Sequence, residues 1–158
     1  SIQNIHMCIN GVPVEAENDR GMLRMRRCWK RGDLVEYRLD MPTRLIVSHP
    51  QVRANARRGA VMRGPLLYCL EEIDNGSNLS ALAVRPDVQF TERYEPDLLG
   101  GTLTIHFIGS RVLEDDWSDG ELYKPYVMKE ADVELTAIPY CLWQNRGKGE
   151  LQTWIPLK

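Results

Sequence analysis

Arg63-Gly64-Pro65-Leu66-Leu67-Tyr68-Cys69-Leu70-Glu71 decides the fold of this 158-residue chain. Proline has no N–H to give to a strand ladder, so it is tolerated at a strand's first position and not in its middle. The residues after Pro65 are apolar up to Glu71-Glu72, and residues 60–62 before the break are apolar too. The spacing predicts two extended pieces, 60–62 and 66–70, joined by a kink or bulge at Gly64-Pro65. Arg57-Arg58-Gly59 reads as the basic turn that opens the stretch. Residues 66–70 do not alternate, which suits a central strand covered on both faces. Periodicity alone does not separate such a run from a buried helix; the break and the flanking turn residues favour the strand.

The surrounding chain supports that choice. Val35, Tyr37, Leu39 and Met41 alternate with Glu36, Arg38 and Asp40, the period of two that marks a half-buried strand. Leu103, Ile105 and Phe107 alternate with Thr102, Thr104 and His106, which predicts the first set inward and the second outward. Leu23 and Met25 alternate with Arg24 and Arg26, and Val133, Leu135 and Ala137 repeat the pattern. Asn10-Gly11 is a hairpin dipeptide, because both residues tolerate positive φ. Residues 15–21 are polar and read as a loop. Turn residues recur about every ten positions and no 3.6-residue period is sustained. Together these predict an all-β fold, an antiparallel β-sandwich of jelly-roll type with little helix.

Composition excludes several classes of function. A net charge of −2 gives no electrostatic reason to expect nucleic acid or a membrane surface as partner. No apolar run approaches the ~18 residues of a membrane helix. Cys8, Cys28, Cys69 and Cys141 are scattered without a CxxC pair and read as reduced, structural thiols.

Candidate chemistry is sparse. Glu71 and Glu72 cannot act as an acid–base pair if they are strand neighbours, because adjacent side chains point to opposite faces; Glu71 reads as a structural anchor. The acidic residues 114–120 have the oxygen density of a cation loop without the order of a calcium loop. His6 and Cys8 lie two apart and share a strand face, so with Cys28 they are the nearest thing to a metal-ligand set. His49 reads as a turn residue and His106 as a surface residue. Among the aromatic residues of the last third, Trp117, Tyr126 and Trp143 are the candidates for stacking on a sugar, although packing is the commoner role of such rings in a β-sandwich.

The opening stretch resembles the RGPLVYxxE signature of glycoside hydrolase family 127, the bacterial β-L-arabinofuranosidases. Trp29-Lys30-Arg31-Gly32-Asp33-Leu34-Val35 is similar to that family's WxxGDxV block. Leu98-Leu99-Gly100-Gly101, residues 138–147 and Trp154-Ile155-Pro156 resemble its later blocks, in the family's order. The resemblance is to the C-terminal β region alone. It implies a catalytic barrel, with its zinc, cysteine ligands and glutamates, upstream of everything in this chain. It also implies two consecutive β-sandwiches, residues 1–45 being the last strands of the first and 46–158 the second. The expectations are therefore no catalytic residue, cofactor or metal site in this chain, and a scaffolding role against the catalytic barrel or a subunit interface, including a homodimer. A carbohydrate-binding module and a small metal-dependent enzyme built on His6, Cys8 and Cys28 are the alternatives. The bacterial cytoplasm is the expected location.

Overall fold

A computed structural model describes residues 5–114, 117–125 and 127–158. The chain divides into two compact units, residues 1–42 and 43–158.

In the first unit, β1 (Ile5–Ile9) and β2 (Val12–Pro13) form a hairpin, and β1 also pairs antiparallel with the later β5 (Val35–Leu39). Asn10 and Gly11 have φ of 52° and 74°, the positive pair that a two-residue type I′ turn requires. Between them lie β3 (Glu17–Asp19) and β4 (Met22–Arg24), a second hairpin that turns at Arg20-Gly21. Residues 17–19 are thus a strand where polarity predicted loop. A two-stranded ribbon with both faces wet carries no apolar signal to betray it.

Among the described residues the second unit holds nine strands: β6 (Thr43–Val47), β7 (Arg58–Arg63), β8 (Leu66–Glu71), β9 (Leu82–Ala83), β10 (Thr91–Glu95), β11 (Thr102–Val112), β12 (Glu130–Pro139), β13 (Leu151–Gln152) and β14 (Ile155–Pro156). A single α-helical turn among the described residues, α1 (Glu72–Asn75), follows β8 directly. All the strand pairs of this sheet are antiparallel. The fold is all-β, as the alternation predicted.

The run of pairings returns on itself. From β7 it passes to β8, β12, β11 and β9; Val84, next to β9, then bridges Leu157, next to β14, and β14 pairs back with β7. At the seam the Val84 N–H donates to the Pro156 carbonyl at 2.9 Å and the Lys158 N–H to the Val84 carbonyl at 3.1 Å. The edge strands β6 and β10 are also drawn together, since Thr43 donates its hydroxyl to Glu92 at 2.6 Å and Arg63 pairs with Glu92 at 3.0 Å. Curling this far lets Val61, Tyr68, Leu70, Ile105, Phe107, Leu135 and Ile155, from strands far apart in the sheet, share one core. Each large apolar side chain buried there contributes roughly 1.5–3 kcal/mol.

The stretch that opened the sequence analysis sits at the centre. Gly64-Pro65 is not a kink within one strand; it is the two-residue turn of the β7–β8 hairpin, with Arg63 opposite Leu66. Gly64 has φ of 53°, and Pro65 supplies the fixed negative φ that suits the next position. Gly59 is likewise inside β7, and the turn before it falls at Arg57, with φ of 57°. Residues 68–71 are buried without a break, so β8 is covered on both faces as its lack of alternation implied. Thr102 and Thr104, expected outward, are buried as well. Thr104 satisfies its hydroxyl on the Arg93 carbonyl at 3.2 Å and on the His106 ring at 2.9 Å.

Candidate functional site

Glu71 ends β8 with 6 % of its surface exposed, the most guarded carboxylate among the buried residues. Its Oε1 accepts the Gln144 N–H at 2.6 Å and its Oε2 accepts from Arg146 Nη2 at 2.5 Å. Arg146 also grips Asp74 of α1 through both terminal nitrogens. Those hydrogen bonds, Asp74 first, hold the guanidinium more firmly protonated than usual. Glu72 points elsewhere, and its Oε2 accepts the Glu150 N–H at 2.8 Å. Asn75 closes the corner, donating to the Glu71 and Thr136 carbonyls and accepting the Thr136 N–H, each at 2.9 Å.

This cluster locks rather than reacts. Both oxygens of Glu71 are occupied by fixed donors, the Gln144 N–H on one and Arg146 on the other, so neither is free to meet a substrate. The two glutamates do not converge on a common point, in keeping with the anchor expected at Glu71. Arg146 is the partner that sequence reading missed. No local pattern marked it, since Arg146 lies 75 positions from Glu71 in the chain.

Asp33 plays the equivalent part in the first unit. Its carboxylate accepts the Lys30 N–H and the Asn10 side-chain amide, each at 2.9 Å, and Asn10 Oδ1 accepts the Leu34 N–H at 2.9 Å. The Lys30 N–H, then Asn10, hold the Asp33 carboxyl below its ordinary range. The Gly-Asp pair of the WxxGDxV block is therefore a turn that staples β5 to the β1–β2 hairpin.

Trp117 is exposed, with Lys124 Nζ 4.5 Å above its ring. Trp143 is half-buried and lies in a near-parallel stack with Tyr140, 17° between planes and 6.4 Å between centroids. Tyr126 lies outside the described residues. His6 and Cys8 do share a face of β1, opposite Arg38 and Glu36 of β5. Yet among the described residues no group of three or more His, Cys, Asp or Glu side chains could hold a metal ion, so a site with Cys28 does not form there. Asp115 and Asp116 of the acidic loop lie outside the described residues. No described helix is long and apolar enough to cross a membrane.

The opposite face of the small sheet is the exposed feature. Ile5, Met7 and Ile9 of β1 stand opposite Leu39, Tyr37 and Val35 of β5, and Val12 of β2 stands opposite Ile9, so all seven share one face. Tyr37 is 66 % exposed, Val12 62 % and Val35 41 %, whereas Ile9 in their midst is buried at 2 %.

One unit is a curled antiparallel sheet with a buried Glu–Arg lock and the other a small sheet whose apolar face is partly exposed, which makes this a β-rich class of domain. The model of the glycoside hydrolase family 127 C-terminal domain matches residues 43–156, and the chain belongs to that family. It is 42% identical to a GH127 β-L-arabinofuranosidase from Geobacillus stearothermophilus T6, with a TM-score of 0.87, over 99% of this chain and 25% of that one. A second GH127 β-arabinofuranosidase structure aligns with 35% identity and a TM-score of 0.84, over 98% of this chain and 23% of that one. A non-reducing end β-L-arabinofuranosidase of Bifidobacterium longum subsp. longum is 31% identical over 157 residues, 94% of this chain and 23% of that protein. The chain thus spans about a quarter of the length of these relatives.

Proposed function

We propose that this chain is the non-catalytic C-terminal region of a β-L-arabinofuranosidase and serves as a scaffold for the rest of that enzyme. Residues 1–42 contribute strands to a neighbouring sandwich, and 43–158 form the terminal one. The observation that carries this reading is where the conspicuous ionisable residues go. Glu71 and Asp33 are spent on backbone N–H groups, and Arg146 and Asp74 on bracing Glu71, which is what a scaffold needs and a catalyst does not. The exposure of Val12, Val35 and Tyr37 on the apolar face of the small sheet supports a packing role, since contiguous exposed apolar surface marks an interaction site. The zinc implied for the family would then sit in the catalytic barrel, the partner this region supports.

Hydrolysis of an aryl β-L-arabinofuranoside by the purified chain tests the reading. We expect no turnover above the uncatalysed rate. Turnover that persists through repurification and disappears in Glu71→Gln or His6→Ala would overturn it.

A further inference from the structure

The β9–β11 pairing ends at Ala83 opposite Ser110, and the β10–β11 pairing begins at Thr91 opposite His106. Between those points residues 84–90 swing away from the edge of β11, so Ile108 has no strand neighbour on that side. A cleft of about 300 Å³ opens in the gap. Four ionisable side chains line it, the cations Arg85 and Lys158 and the anions Asp87 and Asp132. Lys158 is paired with Glu130; Arg85, Asp87 and Asp132 have no ion-pair partner among the described residues. Asp132 lies directly across from Ser110 on the same sheet face.

Ser110 is what makes the gap more than a surface dent. It lines the cleft and is only 6 % exposed, yet its hydroxyl makes no hydrogen bond among the described residues. The hydroxyl is not sealed in; it is open to the cleft and free to bond a molecule there. Beside it Ile108 offers an apolar surface, 57 % exposed. Small-molecule sites combine such a surface with a few converging polar groups, and 300 Å³ is at the lower end of their range.

We propose that this cleft binds a single neutral sugar ring. The Ser110 hydroxyl at the floor both donates and accepts, the Asp87 and Asp132 carboxylates accept from ring hydroxyls, and Arg85 donates. Ile108 covers the C–H face. With Lys158 held by Glu130, Arg85 is left facing two carboxylates, which disfavours a net anion, and the volume admits one ring and not a chain. The choice of a pentoside as first probe rests on the arabinofuranosidase reading; the site itself does not.

The test is an amide-resolved NMR titration of the chain with methyl β-L-arabinofuranoside, D-glucose and glycine in turn. Saturable shifts confined to residues 83–89 and 108–110 with a sugar are expected. Ser110→Val and Asp132→Asn should each weaken binding about five- to tenfold, the size of one hydrogen bond. Asp132 is exposed, so its variant keeps the test sound if Ser110→Val misfolds. Binding of glucose without the pentoside would uphold the sugar site and count against the arabinofuranosidase reading. No shift with either sugar, a glycine-induced shift at these amides, or sugar shifts confined to Trp117 and Trp143 would overturn the site and leave that reading where it stood.

Discussion

Cys69 illustrates how one buried side chain sets a chemical property of the whole second unit. It sits between Tyr68 and Leu70 of β8, on the face that also carries Glu71. Burial, with the Glu71 charge adding to it, pushes the thiol up to about 12 from 9.0. The folded chain therefore keeps this proton at pH values where the unfolded chain has lost it. Stability from Cys69 is complete below about pH 9 and falls as pH rises toward 12, by about 1.4 kcal/mol per unit. Urea melts of wild type and Cys69→Ala at about pH 8 and pH 10 should show a steeper alkaline loss in wild type. Equal losses in the two proteins would mean that Cys69 is not the group responsible. The exposed Cys28 and Cys141 should meanwhile react with a thiol reagent in the folded protein, and Cys69 only on unfolding.

At the scale of the element, the β7–β8 hairpin carries the strongest local demand. Gly64 holds φ of 53° at the first turn position, where a β-branched side chain is strained. Gly64→Val should lower stability by roughly 1–3 kcal/mol, read as a shift in the urea midpoint; an unchanged midpoint would remove the turn from the list of determinants. The hairpin also shows what a sequence reveals. Gly64-Pro65 announced a break in the strand, and the apolar runs on either side announced two extended pieces. Neither could say whether the chain bends or reverses, because that depends on which strands pair across it. The same limit hid the Arg146 lock, whose partners Glu71 and Asp74 are 75 and 72 positions away. It also hid the burial of Thr104, whose face is covered by neighbouring strands and not by its own pattern. Asn10-Gly11 was legible because its turn type is dictated by the two residues themselves. Ser110 and its cleft were not, since they exist only where two different strands leave the edge of β11.

The whole molecule presents an imbalance between its two units. The second unit wraps a sheet around a core, whereas the small sheet of the first leaves Val12, Val35 and Tyr37 in water. Burying even these three would contribute roughly 1.5–3 kcal/mol each, a large fraction of the 5–15 kcal/mol that holds a typical domain together. Within a longer enzyme, neighbouring strands would supply the cover. For the chain alone, a second copy offers the same chemistry, because the face is self-complementary in its apolar character. Sedimentation equilibrium should therefore show concentration-dependent association in the micromolar range. Tyr37→Asp should abolish it while leaving the thermal midpoint of the dilute protein nearly unchanged, since an exposed position contributes little to the monomer. A wild type that stays monomeric throughout would sink the association, and a Tyr37→Asp variant that melts well below wild type when dilute would show that the face is already covered within a single chain.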